Sequence, residues 1–189
     1  MKNSILFGTL FSTILVFSGC NIKCPEADTS VLDWFPYKNE QTFVLSDNHY
    51  ATETFTVDDI VFDHQDGYER NTKCGVCNND FNFYISASNL NINFRGYGNG
   101  YGESPSIESL YVEVGYNDVK EYFDFDIILD AVPEQAVYVA KNSEQFYKKI
   151  VVTKKIGITE IETETGTLFL QNPEQKPNTK NKVMKFSDC

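Results

Sequence analysis

The sequence predicts an all-β protein, a single antiparallel β-sandwich or open β-barrel-like domain that follows a signal peptide. Three observations predict it. Past the N-terminal leader, short runs rich in Phe, Tyr, Val, Ile and Thr alternate with turn clusters. Within the runs, side chains alternate with a period of two. Phe123, Phe125, Ile127 and Leu129 interleave with Asp124, Asp126 and Ile128, as a strand with one buried face requires. No run after the leader carries the i, i+3, i+4 spacing of an amphipathic helix. The 189 residues suffice for one domain, and 41% hydrophobic with 14% aromatic content supplies a core, which excludes general disorder.

At the start of the chain, Lys2 supplies positive charge, Ile5 to Phe17 form an apolar run, and Ser18 and Gly19 are small. A helix of that length rises about 20 Å, short of the roughly 30 Å hydrocarbon core, so the run is a secretory leader and not a span. Phe17-Ser18-Gly19-Cys20 resembles the lipobox of bacterial lipoproteins, with Phe17 in place of the usual Leu. The resemblance covers the leader and Cys20 alone. It implies thioether lipidation of Cys20, cleavage before it, acylation of its new amino group, and anchoring to a membrane by lipid. In lipoproteins of two-membrane bacteria, Asp after the lipidated Cys favours the inner membrane. Asn21 in that place implies the outer one.

The expected organisation is a signal peptide over 1–19, the lipidated Cys and a tether over 20–40, a β-domain over 41–171, and a polar, extended C-terminal tail over 172–189. Pro25, Pro36 and several charges suit the tether, with Trp34-Phe35-Pro36-Tyr37 docked on the domain edge. The predicted strands are Thr42–Leu45, Glu53–His64, Tyr68–Thr72, Phe81–Ala87, Leu90–Arg95, Ile107–Tyr116, Tyr122–Leu129, Ala136–Lys141, Phe146–Lys154, Ile158–Glu164 and Thr167–Gln171. Asp66-Gly67 is a two-residue hairpin signal. It sets Asp63 opposite Arg70 and His64 opposite Glu69, which makes His64 a surface ladder residue. Thr165-Gly166 is the second such signal, placing Ile161 against Leu170 and Thr163 against Leu168. The stretch from Tyr147 to Leu170, with Ile156-Gly157-Ile158, Gly166 and Phe169, resembles a C-terminal hairpin of uncharacterised lipoproteins of Bacteroidota. That resemblance implies an open barrel or sandwich and no particular activity.

With Cys20 assigned to lipid, Cys24, Cys74, Cys77 and Cys189 form an even set in an exported chain, which points to two disulfides. Three connectivities are open, and the preferred one joins Cys74 to Cys77 and Cys24 to Cys189. A redox role for Cys74-Gly75-Val76-Cys77 would need a helix N-terminus at the first thiol, yet a period-two run follows. A zinc site would need Cys74 and Cys77 with two of Cys24, Cys189 and His64, and no second metal-spaced pair exists. Neither a metal nor another cofactor is expected.

With 16 Lys+Arg against 27 Asp+Glu, the net charge of -11 lacks the basic footprint that nucleic acid demands. Arg95-Gly96-Tyr97-Gly98-Asn99-Gly100-Tyr101-Gly102 lacks the Lys and the helix of a phosphate loop. Two readings of it stand. One is a mobile loop offering Tyr97 and Tyr101 as stacking platforms to a sugar or protein partner. The other, preferred, is a hairpin tip turning at Asn99-Gly100, with the tyrosines covering the sheet end. Asp58-Asp59, and Asp124 with Asp126, are the carboxylate pairs available for glycoside hydrolysis. There is no Gly-x-Ser-x-Gly elbow. The expected function is a lipid-anchored, non-catalytic envelope module that binds or builds. The alternative is a small hydrolase acting on glycan or peptide through acidic side chains. Exposed aromatics without a convergent acid pair would mark the first, and two carboxylates facing each other across a pocket the second.

Overall fold

Alternation of apolar and polar side chains resolves into twelve strands among the described residues. In chain order they are β1 (Thr42–Ser46), β2 (Thr52–Tyr68), β3 (Gly75–Ala87), β4 (Leu90–Tyr97), β5 (Tyr111–Tyr116), β6 (Val119–Tyr122), β7 (Phe125–Ala131), β8 (Glu134–Ala140), β9 (Tyr147–Thr153), β10 (Gly157–Thr163), β11 (Gly166–Leu170) and β12 (Met184–Ser187). The computed structural model describes residues 24–68, 75–98, 102–170 and 184–187. The expected leader over 1–19 and the expected lipidation site Cys20 lie outside the described residues.

Eleven strands form one antiparallel sheet in the order β6-β5-β4-β3-β2-β1-β11-β10-β9-β8-β7, curled into a half-barrel. Of the two expected architectures the open barrel is therefore the observed one. The two end strands, β6 and β7, follow each other in the chain. Between them, Phe123 donates its N–H to the Val112 carbonyl of β5 (2.8 Å), and Asp124 accepts from the Lys141 N–H just past β8 (3.0 Å). This two-residue step bonds both ends of the sheet and draws the curl together. β12 lies off this path and pairs in parallel with β2 from Phe62 to Gln65.

The concave side holds the core. β2 contributes Phe55 and Val57, and then Ile60 and Phe62, because a bulge between Val57 and Asp59 shifts the inward phase by one residue. β3 and β4 add Phe81, Phe83, Ile85, Ile92 and Phe94, all buried. The expected tether is shorter than its composition indicates. A 3-10 turn over Ser30–Asp33 lays Val31 and Leu32 inside, and Phe35 and Tyr37 follow them into the core. Phe35 meets the rings of Phe81, Phe83 and Phe94 at centroid distances of 5.3, 4.6 and 5.0 Å. The aromatic segment is thus a plug in the concavity and not an edge patch.

Tyr37 also explains Ile156-Gly157-Ile158. Its hydroxyl accepts the Ile158 N–H at 2.8 Å, and the ring lies so close to Gly157 that a Cβ there would collide with the hydroxyl. Gly157 itself has φ +99°, a conformation that only glycine adopts without strain.

Both expected hairpin registers change. β2 runs straight through Asp66-Gly67 to Tyr68, so Asp63 faces Asp80 and His64 faces Asn79, not Arg70 and Glu69. β3 begins at Gly75, which pairs with Tyr68, and residues 69–74 lie outside those described. The turn signal failed because β2 and β3 continue pairing past it. The second turn does fall at Thr165, but Thr163 pairs with Gly166 and Ile161 with Leu168. A two-residue slip keeps every side chain on its expected face. The run expected over Ile107–Tyr116 starts as a strand only at Tyr111, because Ile107–Ser109 is a 3-10 turn. The run over Tyr122–Leu129 breaks at Phe123-Asp124. Phe123 is buried as expected, whereas Leu129 is 46% exposed where β7 runs past the core.

Replacing Tyr37 with Phe leaves the Ile158 N–H buried and unpaired, and should lower unfolding stability by about 1–3 kcal/mol. A denaturant titration of the variant against wild type checks this. Burial also holds the Tyr37, Tyr138 and Tyr147 hydroxyls well above the ordinary tyrosine range. Above about pH 10 the unfolded chain loses those protons while the folded chain keeps them, so stability should fall as pH rises through that value. The unfolding midpoint, followed from about pH 9 to 11, should drop, and tyrosinate absorbance should appear in step with unfolding.

Candidate functional site

With the concavity filled, functional side chains must come from the convex face, where register decides which residues meet. Three ladder rows cross β2 to β5 there. The first is Thr56, Ser86, Asn91 and Gly115. The second is Asp59, Tyr84, Asn93 and Glu113, and the third runs from Asn82 through Arg95 to Tyr111. The first row is low and neutral, and its Thr56, Ser86 and Asn91 form the floor of a cleft of about 580 Å³. Tyr84 walls one side. Ser88-Asn89 and Asn117-Asp118, the turns after β3 and β5, wall the other. Asn117 and Asp118 hold φ of +50° and +65°, the conformation a tight two-residue hairpin turn demands. Gly115 has no side chain, and the Asn91 amide lies directly over it. A smaller cavity of about 260 Å³ adjoins beyond Ser88–Leu90, near the stacked rings of Tyr116 and Phe146 (4.0 Å).

The second row is engaged within itself and with its neighbours. Asn82 donates to the Asp59 carboxylate at 2.8 Å, and Arg95 pairs with Glu113 at 3.8 Å. Tyr97 and Tyr111 are 46% and 59% exposed, with ring centroids 6.4 Å apart and the Arg95 guanidinium 5.7 Å over Tyr97. Tyr97 therefore faces solvent on the convex surface and does not cover the sheet end. Tyr101 lies outside the described residues.

The glycines around Tyr97 act on the opposite face. A Cβ on Gly96 would press on Pro105 and Leu110, and one on Gly98 would collide with the Glu103 carbonyl. They let the chain after β4 fold back over the end of the core. Asn79 fastens that fold. Fully buried, it accepts the Gly98 N–H on its backbone oxygen (2.6 Å), while its amide nitrogen donates to the carbonyls of Gly102 (3.2 Å) and Glu103 (2.8 Å). Its amide oxygen is then the acceptor for His64 Nδ1 at 2.6 Å, which puts a proton on that ring nitrogen. His64 is thus half-buried in a structural bond and is not the exposed ladder residue expected.

The expected acid pairs do not converge. Asp124 and Asp126 both reach Lys141, at 3.2 and 3.6 Å, on the open surface. Asp58 is exposed while Asp59 turns to Asn82 across the bulge. A pair that sequence reasoning missed is Asp63 with Asp80, directly opposite on β2 and β3. The Asp80 carboxyl is held above its ordinary range by burial and then by Asp63, against the opposing pull of Arg95. These two lie side by side on one face, outside both cavities. Among the described residues, no group of three or more His, Cys, Asp or Glu could hold a metal, and no helix is long and apolar enough to cross a membrane. Cys24 is disulfide-bonded, and the side chains of Cys74, Cys77 and Cys189 lie outside those described.

The floor row was missed because its four residues are unremarkable singly and span sixty positions. Period-two alternation marks each as outward-facing, but only strand register brings them together. Comparison with protein-family models, curated proteins and solved structures gives no match for this chain.

Asn79→Ala should strand the Glu103 carbonyl and release the loop that follows β4. We expect a loss of about 1–3 kcal/mol and faster amide exchange at Gly98. Unchanged exchange there, measured by mass spectrometry, would show that the loop is held by other contacts.

Proposed function

We propose that this chain is a lipid-anchored lipoprotein of the cell envelope, held at the outer membrane through Cys20, whose β-domain is a non-catalytic binding module. The leader and the Phe17-Ser18-Gly19-Cys20 resemblance support the anchor. The observation that carries the binding reading is the pairing of exposed aromatics with spent carboxylates. Tyr97 and Tyr111 stand on the convex face beside Arg95, whereas Asp124 and Asp126 share Lys141 and Asp59 is bound to Asn82. The hydrolase alternative would look first to Asp63 and Asp80, which are directly opposite on β2 and β3. Neither residue lines the trough or the smaller cavity beside it, so neither of those clefts would hold a substrate against the pair.

Intact-mass analysis of the envelope protein should give a chain that starts at Cys20 and carries lipid, and Cys20→Ser should abolish the lipid. A wild-type mass that still includes residues 1–19 refutes the anchor. Incubation with envelope glycans and peptides should release no product. Product formation abolished by Asp80→Asn would instead establish the hydrolase.

A further inference from the structure

We propose that the trough across β2 to β5 on the convex face binds an uncharged, hydroxyl-rich ligand, namely an oligosaccharide segment laid perpendicular to the strands. The inference rests on the binding-module reading and names its ligand class. Three strands at about 4.8 Å spacing give the floor a length of roughly 10 Å, and the cleft volume of about 580 Å³ suits a ligand of several rings. The floor chemistry selects among ligands. Thr56 and Ser86 each bring a hydroxyl that donates and accepts, and Asn91 brings an amide that does both. Vicinal diols need that alternation of donors and acceptors.

Other ligand classes lack what they need. An anion requires Arg, Lys or a helix N-terminus; the floor row has none, and of the charges at its margin Lys120 sits over Tyr84 while Asp118 opposes it in sign. The charges of the neighbouring row are engaged, Asp59 by Asn82 and Glu113 by Arg95. An extended peptide adds to a free sheet edge, whereas β2 to β5 are paired where the trough crosses them. Tyr84, with Lys120 Nζ 5.7 Å over its ring, gives the trough an aromatic wall.

The floor is also held in place. From the core side the Tyr147 hydroxyl lies 2.8 Å from the Gly115 carbonyl and 3.2 Å from that of Asn91, so β4, which ends the floor, and its neighbour β5 are tied from beneath. Gly115 lets the Asn91 amide lie flat across the neighbouring strand. Donors and acceptors fixed before binding lose little freedom when a ligand arrives.

The test is calorimetric titration of the lipidated protein in an amine-oxide detergent, whose headgroup carries no sugar. The probes are hexasaccharides of glucose, mannose, xylose and N-acetylglucosamine, with oligogalacturonate as the charged comparison. We expect one or more of the neutral probes to bind, and Ser86→Trp to weaken that binding roughly tenfold or more. Thr54→Trp, at the exposed rim, should do the same and keeps the test valid should Ser86→Trp not fold. Val132→Ser, on the far β7–β8 turn, should bind as wild type does. Failure of every neutral probe, preference for the charged one, or binding that both Trp variants leave intact overturns the trough assignment. So does binding lost in Tyr97→Ala but kept in Ser86→Trp, although the binding-module reading survives that result. Hydrolysis of a probe would instead overturn the non-catalytic reading itself.

Discussion

The half-barrel depends on the insertion of Phe35 and Tyr37 into its concave side. A curled sheet of this size would otherwise enclose a lumen, and here the lumen is filled by rings. Phe35 contacts Phe81, Phe83 and Phe94, and Tyr37 stacks on Phe43 and Phe83 at 4.9 and 5.3 Å. Tyr138 reaches from β8 on the far side to meet Phe94 at 5.5 Å and sends its hydroxyl to the Ile107 carbonyl. Each aromatic pair contributes about 0.5–1.5 kcal/mol beyond its burial, and each ring touches strands distant in the chain. The segment just before β1 therefore belongs to the domain as fully as any strand. A chain trimmed at the nominal domain start near residue 41 would lose the plug, and with it the bond from the Ile158 N–H to Tyr37.

Filling the interior has a functional corollary. Barrels that carry ligands inside need an empty or polar lumen, and this one is packed with apolar side chains. Recognition is displaced to the outer surface, where strand register replaces cavity shape as the organising principle. A row of small neutral residues between a Tyr-bearing row and two turns is a trough because of what its neighbours are. Shifting β3 by one residue against β4 would turn Ser86 inward and abolish it. The bulge at Val57 to Asp59 matters here too. It keeps Thr56 on the outer face with Ser86 while turning Ile60 and Phe62 into the core.

Sequence reasoning reached the fold because burial on one face writes itself as period-two alternation, and that signal is local. It placed most strands to within a few residues. It failed where the determinant was non-local. Asp66-Gly67 has turn chemistry, but the continued pairing of β2 with β3 outweighs a two-residue preference, and Gly67 sits in the strand opposite Val76. Trp34-Phe35-Pro36-Tyr37 suggested a segment docked on the domain edge because no periodicity marks a plug. The glycines around Tyr97 suggested a hairpin tip first and a ligand loop second, yet Gly96 and Gly98 serve close approach of Pro105, Leu110 and Glu103. On the convex face, the legible residue was Tyr97. Thr56, Ser86, Asn91 and Gly115 were not legible, since a hydroxyl or amide on a strand's polar face is indistinguishable from a solvated one until its cross-strand neighbours are known.

One residue couples the two faces. Tyr147 is part of the core, and burial suppresses the ionisation of its hydroxyl. Yet that hydroxyl spans the interior from β9 to reach carbonyls of β4 and β5 directly beneath the trough. A carbonyl in the middle of a sheet already accepts its ladder bond, so a second donor from below uses the remaining lone pair and restrains the strand without breaking the pairing. The hydroxyl has a single proton to give, and the shorter contact, 2.8 Å to Gly115, is the better placed acceptor. Gly115 is also the position where the absence of a side chain lets the Asn91 amide settle. Core packing and the shape of the outer face therefore meet at one backbone unit. The curvature that buries the aromatic plug is the curvature that sets the trough floor.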